Sequence, residues 1–87
     1  MAARFKPIRD LAWQTVGPLT VVIDLGRGRS LGLNETAGLV WTLLSEMDDE
    51  QIAGEVARRY GIEPARAQRD VTAILTTLRE RGLLEEA

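Results

Sequence analysis

Between Leu25 and Leu33 the chain reads LGRGRSLGL, directly after the apolar run Val21-Val22-Ile23. The stretch has two physical readings: a glycine loop that cradles a phosphate, or a tight turn that sends one strand back beside another. A dinucleotide fingerprint places Gly-x-Gly-x-x-Gly between a strand and the mouth of a helix. Here the spacing is Gly26-x-Gly28-x-x-x-Gly32, one residue longer, and Ser30-Leu31-Gly32-Leu33 alternates like a strand. No helix N-terminus follows to receive a phosphate, and no Gly-Lys-Ser/Thr marks a P-loop. Glycines at 26 and 28 instead suit the positive φ of a hairpin turn.

Working outward, Leu19–Leu25 (LTVVIDL) is the strongest strand candidate, with Leu19, Val21, Ile23 and Leu25 on one period-2 face. Leu31 and Leu33 are expected to continue that apolar side in a third strand, Arg29–Leu33. Upstream, Leu11–Val16 (LAWQTV) reads as a first strand closed by the turn dipeptide Gly17-Pro18. At Asn34 the period changes to helical. Asn34 is a suitable N-cap, Glu35 favours the positive end of the dipole, and Ala37, Val40, Trp41 and Leu44 recur at helical spacing, predicting a helix over 35–45.

Asp48 or Asp49 caps a second helix whose stripe is Ile52, Val56 and Tyr60, closed by Gly61. The third runs from Pro64 to Arg81 with the stripe Ala67, Val71, Ile74, Leu75 and Leu78, closed by Gly82. Leu83 and Leu84 are expected to fold back onto the core, leaving Glu85, Glu86 and Ala87 loose. The fold class is therefore α+β: a three-stranded antiparallel sheet followed by three helices, in one domain over 1–87.

Composition narrows the function. With 45% apolar and 28% charged residues the chain is an ordinary folded domain, and its 87 residues leave no room for a cleft between domains. The absence of Cys and His removes disulfides, thiolate or imidazole metal sites and the commonest general base. No metal and no cofactor is expected. The paired Asp48-Asp49 sits where helix capping explains it, so no enzyme is expected either. The first residues carry no apolar run of signal-peptide length, and no segment reaches the ~20 apolar residues of a membrane span, so a cytoplasmic location is the expectation. A net charge of −2 supplies no global field for nucleic acid.

The third strand stands last before the helices. If it borders the sheet, it offers unpaired backbone donors and acceptors with no charge after Arg29, and Gly32 permits close approach of another backbone. Such an edge suits an added peptide strand. That role fails if the chain's own N-terminal segment fills the edge, and a helix simply covering it is the plain alternative.

Several runs together resemble the PqqD family: Leu31-Gly32-Leu33-Asn34-Glu35-Thr36-Ala37, then Val40-Trp41-Thr42-Leu43-Leu44, then Ile52-Ala53-Gly54-Glu55-Val56, and finally Asp70 through Leu84. These are leader-peptide recognition domains of pathways that modify ribosomally made peptides. The resemblance covers roughly residues 19 to 84 and implies a winged-helix-turn-helix-like arrangement without catalysis of its own. It implies that the backbone of Arg29, Ser30, Leu31, Gly32 and Leu33 pairs with the leader. It further implies a groove wall from the third helix, with Val71, Ile74, Leu75 and Leu78 as apolar candidates, at least two of them plain packing, and Asp70 as a polar one. Where PqqD itself tends to carry an acidic, proline-containing segment, this chain has Gly-Arg-Gly-Arg. The resemblance therefore leans toward stand-alone partners of lasso-peptide proteases, or PqqD-like proteins beside radical-SAM enzymes. The implied partners are a precursor peptide and a maturation enzyme, with the chain a monomer or weak dimer.

The rival function is a winged-helix DNA binder, suggested by Arg66, Arg69, Arg79 and Arg81 on the third helix and Arg27 and Arg29 at the hairpin tip. Against it, Glu63, Asp70 and Glu80 are interspersed, and the hairpin precedes the helices whereas a wing follows the recognition helix.

Overall fold

The glycine stretch is a hairpin turn. In the computed structural model, which describes residues 2–87, it joins β3 (Leu19–Asp24) to β4 (Arg29–Leu33). The Gly28 amide donates to the Asp24 carbonyl at 2.8 Å, and the Asp24 carboxylate accepts the Arg27 amide at 3.1 Å. Gly28 sits at φ +68°, a conformation that glycine adopts without a Cβ penalty.

The complete element order adds β1 (Phe5–Pro7), β2 (Leu11–Val16), α1 (Glu35–Leu43), α2 (Asp49–Tyr60), α3 (Pro64–Glu80) and β5 (Leu84–Glu86). Strands β2, β3 and β4 form an antiparallel meander in that spatial order, with Trp13 opposite Val22 and Val22 opposite Leu31. The expected sheet and three helices are present, with helix ends within two residues of the sequence expectation.

Two expectations are corrected. The face carrying Leu19, Val21, Ile23 and Leu25 is not the core face: Leu19 is 51% exposed, Ile23 40% and Leu25 63%, whereas Val22 is 1% exposed. Register explains the inversion. Leu31 and Leu33 stand opposite Val22 and Thr20, so they share the side covered by the helices, and the remaining β3 residues face outward. The polar residues thereby buried are satisfied, Thr20 Oγ1 lying 3.0 Å from Thr15 Oγ1 and Asp24 accepting from Arg27. Helix α1 crosses here at close range, because a Cβ on Gly38 would stand 2.7 Å from Thr20 Oγ1.

The second correction concerns the termini. Glu85 and Glu86 are not loose but lie in β5, which pairs antiparallel with β1, Phe5 opposite Glu86 and Pro7 opposite Leu84. Arg79 lies over the Phe5 ring at 5.2 Å, a cation–π contact that seats this ribbon on α3. The chain start is also clamped to α2: the Ala3 amide donates to Asp49 Oδ1 and the Asp49 amide to the Ala3 carbonyl.

The helix ends follow local chemistry. Asn34 Oδ1 accepts the Ala37 amide at 2.9 Å, and Asp48 and Gln51 form a reciprocal capping box. At the end of α3 the Leu83 amide donates to the Leu78 carbonyl and the Gly82 amide to the Arg79 carbonyl, a Schellman closure with Gly82 at φ +73°. The core between sheet and helices is built from Val22, Leu33, Val40, Trp41, Leu44, Ile52, Val56, Val71, Leu75 and Leu78, with Leu83 and Leu84 folded back as expected. Trp13, on the helix-facing side of β2, stands edge-on to Trp41 of α1 at 5.4 Å.

Candidate functional site

Strand β4 has β3 on one side and, among the described residues, no strand on the other. The N-terminal strand, the one internal segment able to disqualify the edge, pairs with β5 instead. Alongside β4 runs the C-terminal half of α3. Between them lie two openings that share Leu31 and Arg81 and so form one trough.

The first opening, about 290 Å³, is bounded by Leu31, Leu33, Ala73, Ile74, Thr77 and Leu78. Its walls are mostly apolar or small, with Asn34 and Arg81 as the polar exceptions. The second, about 380 Å³, lies under the hairpin between Arg29, Ser30, Arg27 and the end of α3 at Arg81 and Gly82, with Val22 and Asp24 also bounding it. Three arginines gather here. The trough changes character along its length, apolar near Leu33 and cationic near Arg29.

Of the residues singled out from sequence, Arg29, Ser30, Leu31, Gly32, Leu33, Ile74 and Leu78 border this trough. Val71 and Leu75 are core residues, 0% and 4% exposed, and border neither opening. Asp70 faces Arg66 on its own helix at 3.8 Å. Sequence reasoning missed Ala73 and Thr77, four residues apart on α3 beside the Ile74–Leu78 stripe, and named Arg81, the α3 C-cap, as a site residue only for the rival function. That spacing was a usable signal: small residues flanking an apolar stripe leave room for something else.

Titration is perturbed elsewhere. On the outer surface of α2 the Arg58 guanidinium hydrogen-bonds Glu55 and holds its carboxyl below the usual range, while the carboxylate raises Arg58. Among the described residues no group of three His, Cys, Asp or Glu could hold a metal, and no helix is long and apolar enough to cross a membrane.

Comparison with known proteins now decides the family. The model of coenzyme PQQ synthesis protein D (PqqD) matches residues 20–84. The chain belongs to the PqqD family. The PqqD match runs from β3 to the first residue of β5 and so takes in both walls of the trough. Two solved structures share the PqqD-like fold at a TM-score of 0.85. One is TbiB1 in complex with the TbiA(beta) leader peptide, 25% identical, with 92% of this chain and 94% of that chain covered. The other is lasso peptide synthetase B1 complexed with the leader peptide, 27% identical, with 95% and 99% covered. No curated protein sequence matches the chain.

The DNA-binding alternative is not favoured. Its arginines are in part engaged within the molecule, Arg66 with Asp70, Arg79 with Phe5 and Arg27 with Asp24, and the structural neighbours are peptide complexes.

Proposed function

We propose that this PqqD-family chain is a non-catalytic binder of a leader peptide, which adds as a strand to β4 and lays alternate side chains into the trough against α3. The observation that carries this is the open edge of β4 beside a trough, in a fold whose neighbours were solved with leader peptides. Main-chain bonds to Arg29–Leu33 give affinity tolerant of sequence, and the trough between Leu31, Leu33, Ile74 and Leu78 gives selectivity. Asp70, Val71 and Leu75 support the wall from behind or beside it rather than touching the peptide.

Captured in this way, the leader presents its attached core peptide to a maturation enzyme. The lasso-peptide type, with a protease as the next partner, is the pathway that the likeness to lasso peptide synthetase B1 supports, and such work belongs in the cytoplasm, where precursors are made. Ordering a disordered leader costs free energy, so an affinity between nanomolar and micromolar is expected.

The test is fluorescence polarisation with the fluorescein-labelled TbiA(beta) leader peptide, the ligand in one of the neighbouring structures. A scrambled peptide and a mixed-sequence DNA duplex serve as controls. Saturable binding of the leader alone is expected. Binding of the duplex with no response to the leader overturns the proposal in favour of the winged-helix alternative.

A further inference from the structure

The cationic end of the trough is the feature that strand addition leaves unused. Asp24 is buried, 5% exposed, and holds Arg27 through the backbone amide at 3.1 Å and through Nε at 3.8 Å. Arg27 Nη1 also reaches the Arg81 carbonyl at 3.5 Å and packs where a Cβ on Gly82 would collide. Arg27 is thus a brace between the hairpin and the end of α3. Arg29 and Arg81, on opposite sides of the same opening, have no ion-pair partner among the described residues. The exposed carboxylate beside them is Glu80, one negative charge against two, in a chain whose net charge is −2.

Building on the peptide capture proposed above, we infer that Arg29 and Arg81 select an acidic side chain of the bound strand. Arg29 shares the trough-facing side of β4 with Leu31 and Leu33, because these three oppose Asp24, Val22 and Thr20. A strand lying on β4 repeats this alternation. The acidic residue therefore stands about four positions from an apolar residue seated between Leu33 and Ile74, a separation of roughly 13 Å at the strand rise. A carboxylate there meets two guanidinium groups in a half-enclosed site, where charge-assisted hydrogen bonds are strong and geometrically selective.

The test needs no knowledge of the natural leader. A phage library of random sixteen-residue peptides is selected on the full chain, on Arg29→Glu/Arg81→Glu, and on Arg29→Ala. Both positions are exposed, and circular dichroism verifies that the variants fold. The parent protein is expected to enrich an apolar residue with Asp or Glu about four positions away, their order reporting the strand direction. The double variant is expected to enrich Lys or Arg there instead, an exchange that a merely structural role of the arginines cannot produce. One selected acidic peptide is expected to bind Arg29→Ala about three- to tenfold more weakly, between the value of an exposed ion pair and that of a hydrogen bond to a charged group. Enrichment of the apolar residue alone, unchanged in the variants, overturns the acidic selection and leaves peptide capture standing. No enrichment on any of the proteins overturns peptide capture itself, and the charge selection with it.

Discussion

Among the described residues the sheet has two free edges, and only one of them runs beside α3. Strand β2 (Leu11–Val16) is as unguarded as β4: it carries no charge, no proline and, among the described residues, no strand on its outer side. By the rule that open edges recruit strands, both qualify. The difference is the neighbour. Five of the six β2 residues are exposed, and the opening beside this strand touches it only at Thr15, near the turn into β3, whereas β4 forms one wall of a trough closed by α3. A bare edge supplies main-chain hydrogen bonds that any peptide satisfies, while the trough adds side-chain burial and charge, which distinguish one peptide from another.

Filling the trough breaks this asymmetry most directly. Thr77 is exposed and borders the apolar opening, so Thr77→Trp is expected to abolish leader binding by polarisation with an unchanged circular dichroism spectrum. The matching change on the other edge, Gln14→Lys, is expected to alter the affinity by less than about twofold, as surface substitutions away from a contact do. Loss of binding in Gln14→Lys with retention in Thr77→Trp assigns the peptide to β2.

Two adjacent α3 residues mark where trough ends and core begins. Leu75 is buried in the core and Ile74 is half-buried at the trough. Leu75→Ala is expected to cost about 2–5 kcal/mol in urea unfolding, the usual range for a core leucine, without weakening binding by the folded fraction. Ile74→Ala is expected to do the reverse, weakening the peptide with little effect on the unfolding midpoint. Equal destabilisation by both would make Ile74 a core residue and narrow the site to β4 and Thr77.

A smaller change tests what holds the sheet in place behind both edges. A Cβ at Gly38 would stand 2.7 Å from Thr20 Oγ1 and 3.3 Å from Thr20 Cβ, so Gly38→Ala forces α1 and β3 apart. Overpacking of this kind costs about 1–3 kcal/mol. Thermal unfolding is the measurement, and Gly38→Ala combined with Thr20→Ala, which removes the colliding Oγ1, is expected to recover part of the loss.

What the sequence disclosed, and what it concealed, follows from how local each signal is. The hairpin turn with Gly28, the Asn34 cap and the Gly61 and Gly82 closures depend on a few neighbouring residues and were legible, whereas Gly26 does not take the positive φ expected of it and the choice of Asp48 over Asp49 as the α2 cap was left open. The buried face of β3 was not legible. Val21 and Val22 put apolar side chains on both faces, and the choice between them rests on Leu31 and Leu33 across the register and on Thr20 accommodating α1. Strands β1 and β5 have three residues each, with Pro7 in one and Glu85-Glu86 in the other, too short and too polar to announce pairing across the length of the chain. At the site, β4 was legible because its lack of guarding charges is a local property. Which α3 residues face the trough was not, because Ile74 and Leu75 belong to one helical stripe and differ only in what packs opposite them.

The smallest expected effect separates an edge from a face. Gly32 lies in β4, and a Cβ there would meet no atom within 4 Å, so nothing inside the molecule requires glycine at this position. Its outward partner in the register is Val21, on the side of the sheet away from the helices. A side chain at residue 32 thus rises from the outer face, perpendicular to the plane in which an added strand hydrogen-bonds to β4. Gly32→Ala is expected to stabilise the chain by about 0.5–1 kcal/mol, the entropic cost of a strand glycine, and to leave leader affinity within about twofold. Calorimetric unfolding and a polarisation titration on the same sample measure both. A stability gain accompanied by a tenfold loss of affinity would mean that the peptide lies over the exposed face of Leu19, Ile23 and Gly32, and the trough beside α3 would lose its role.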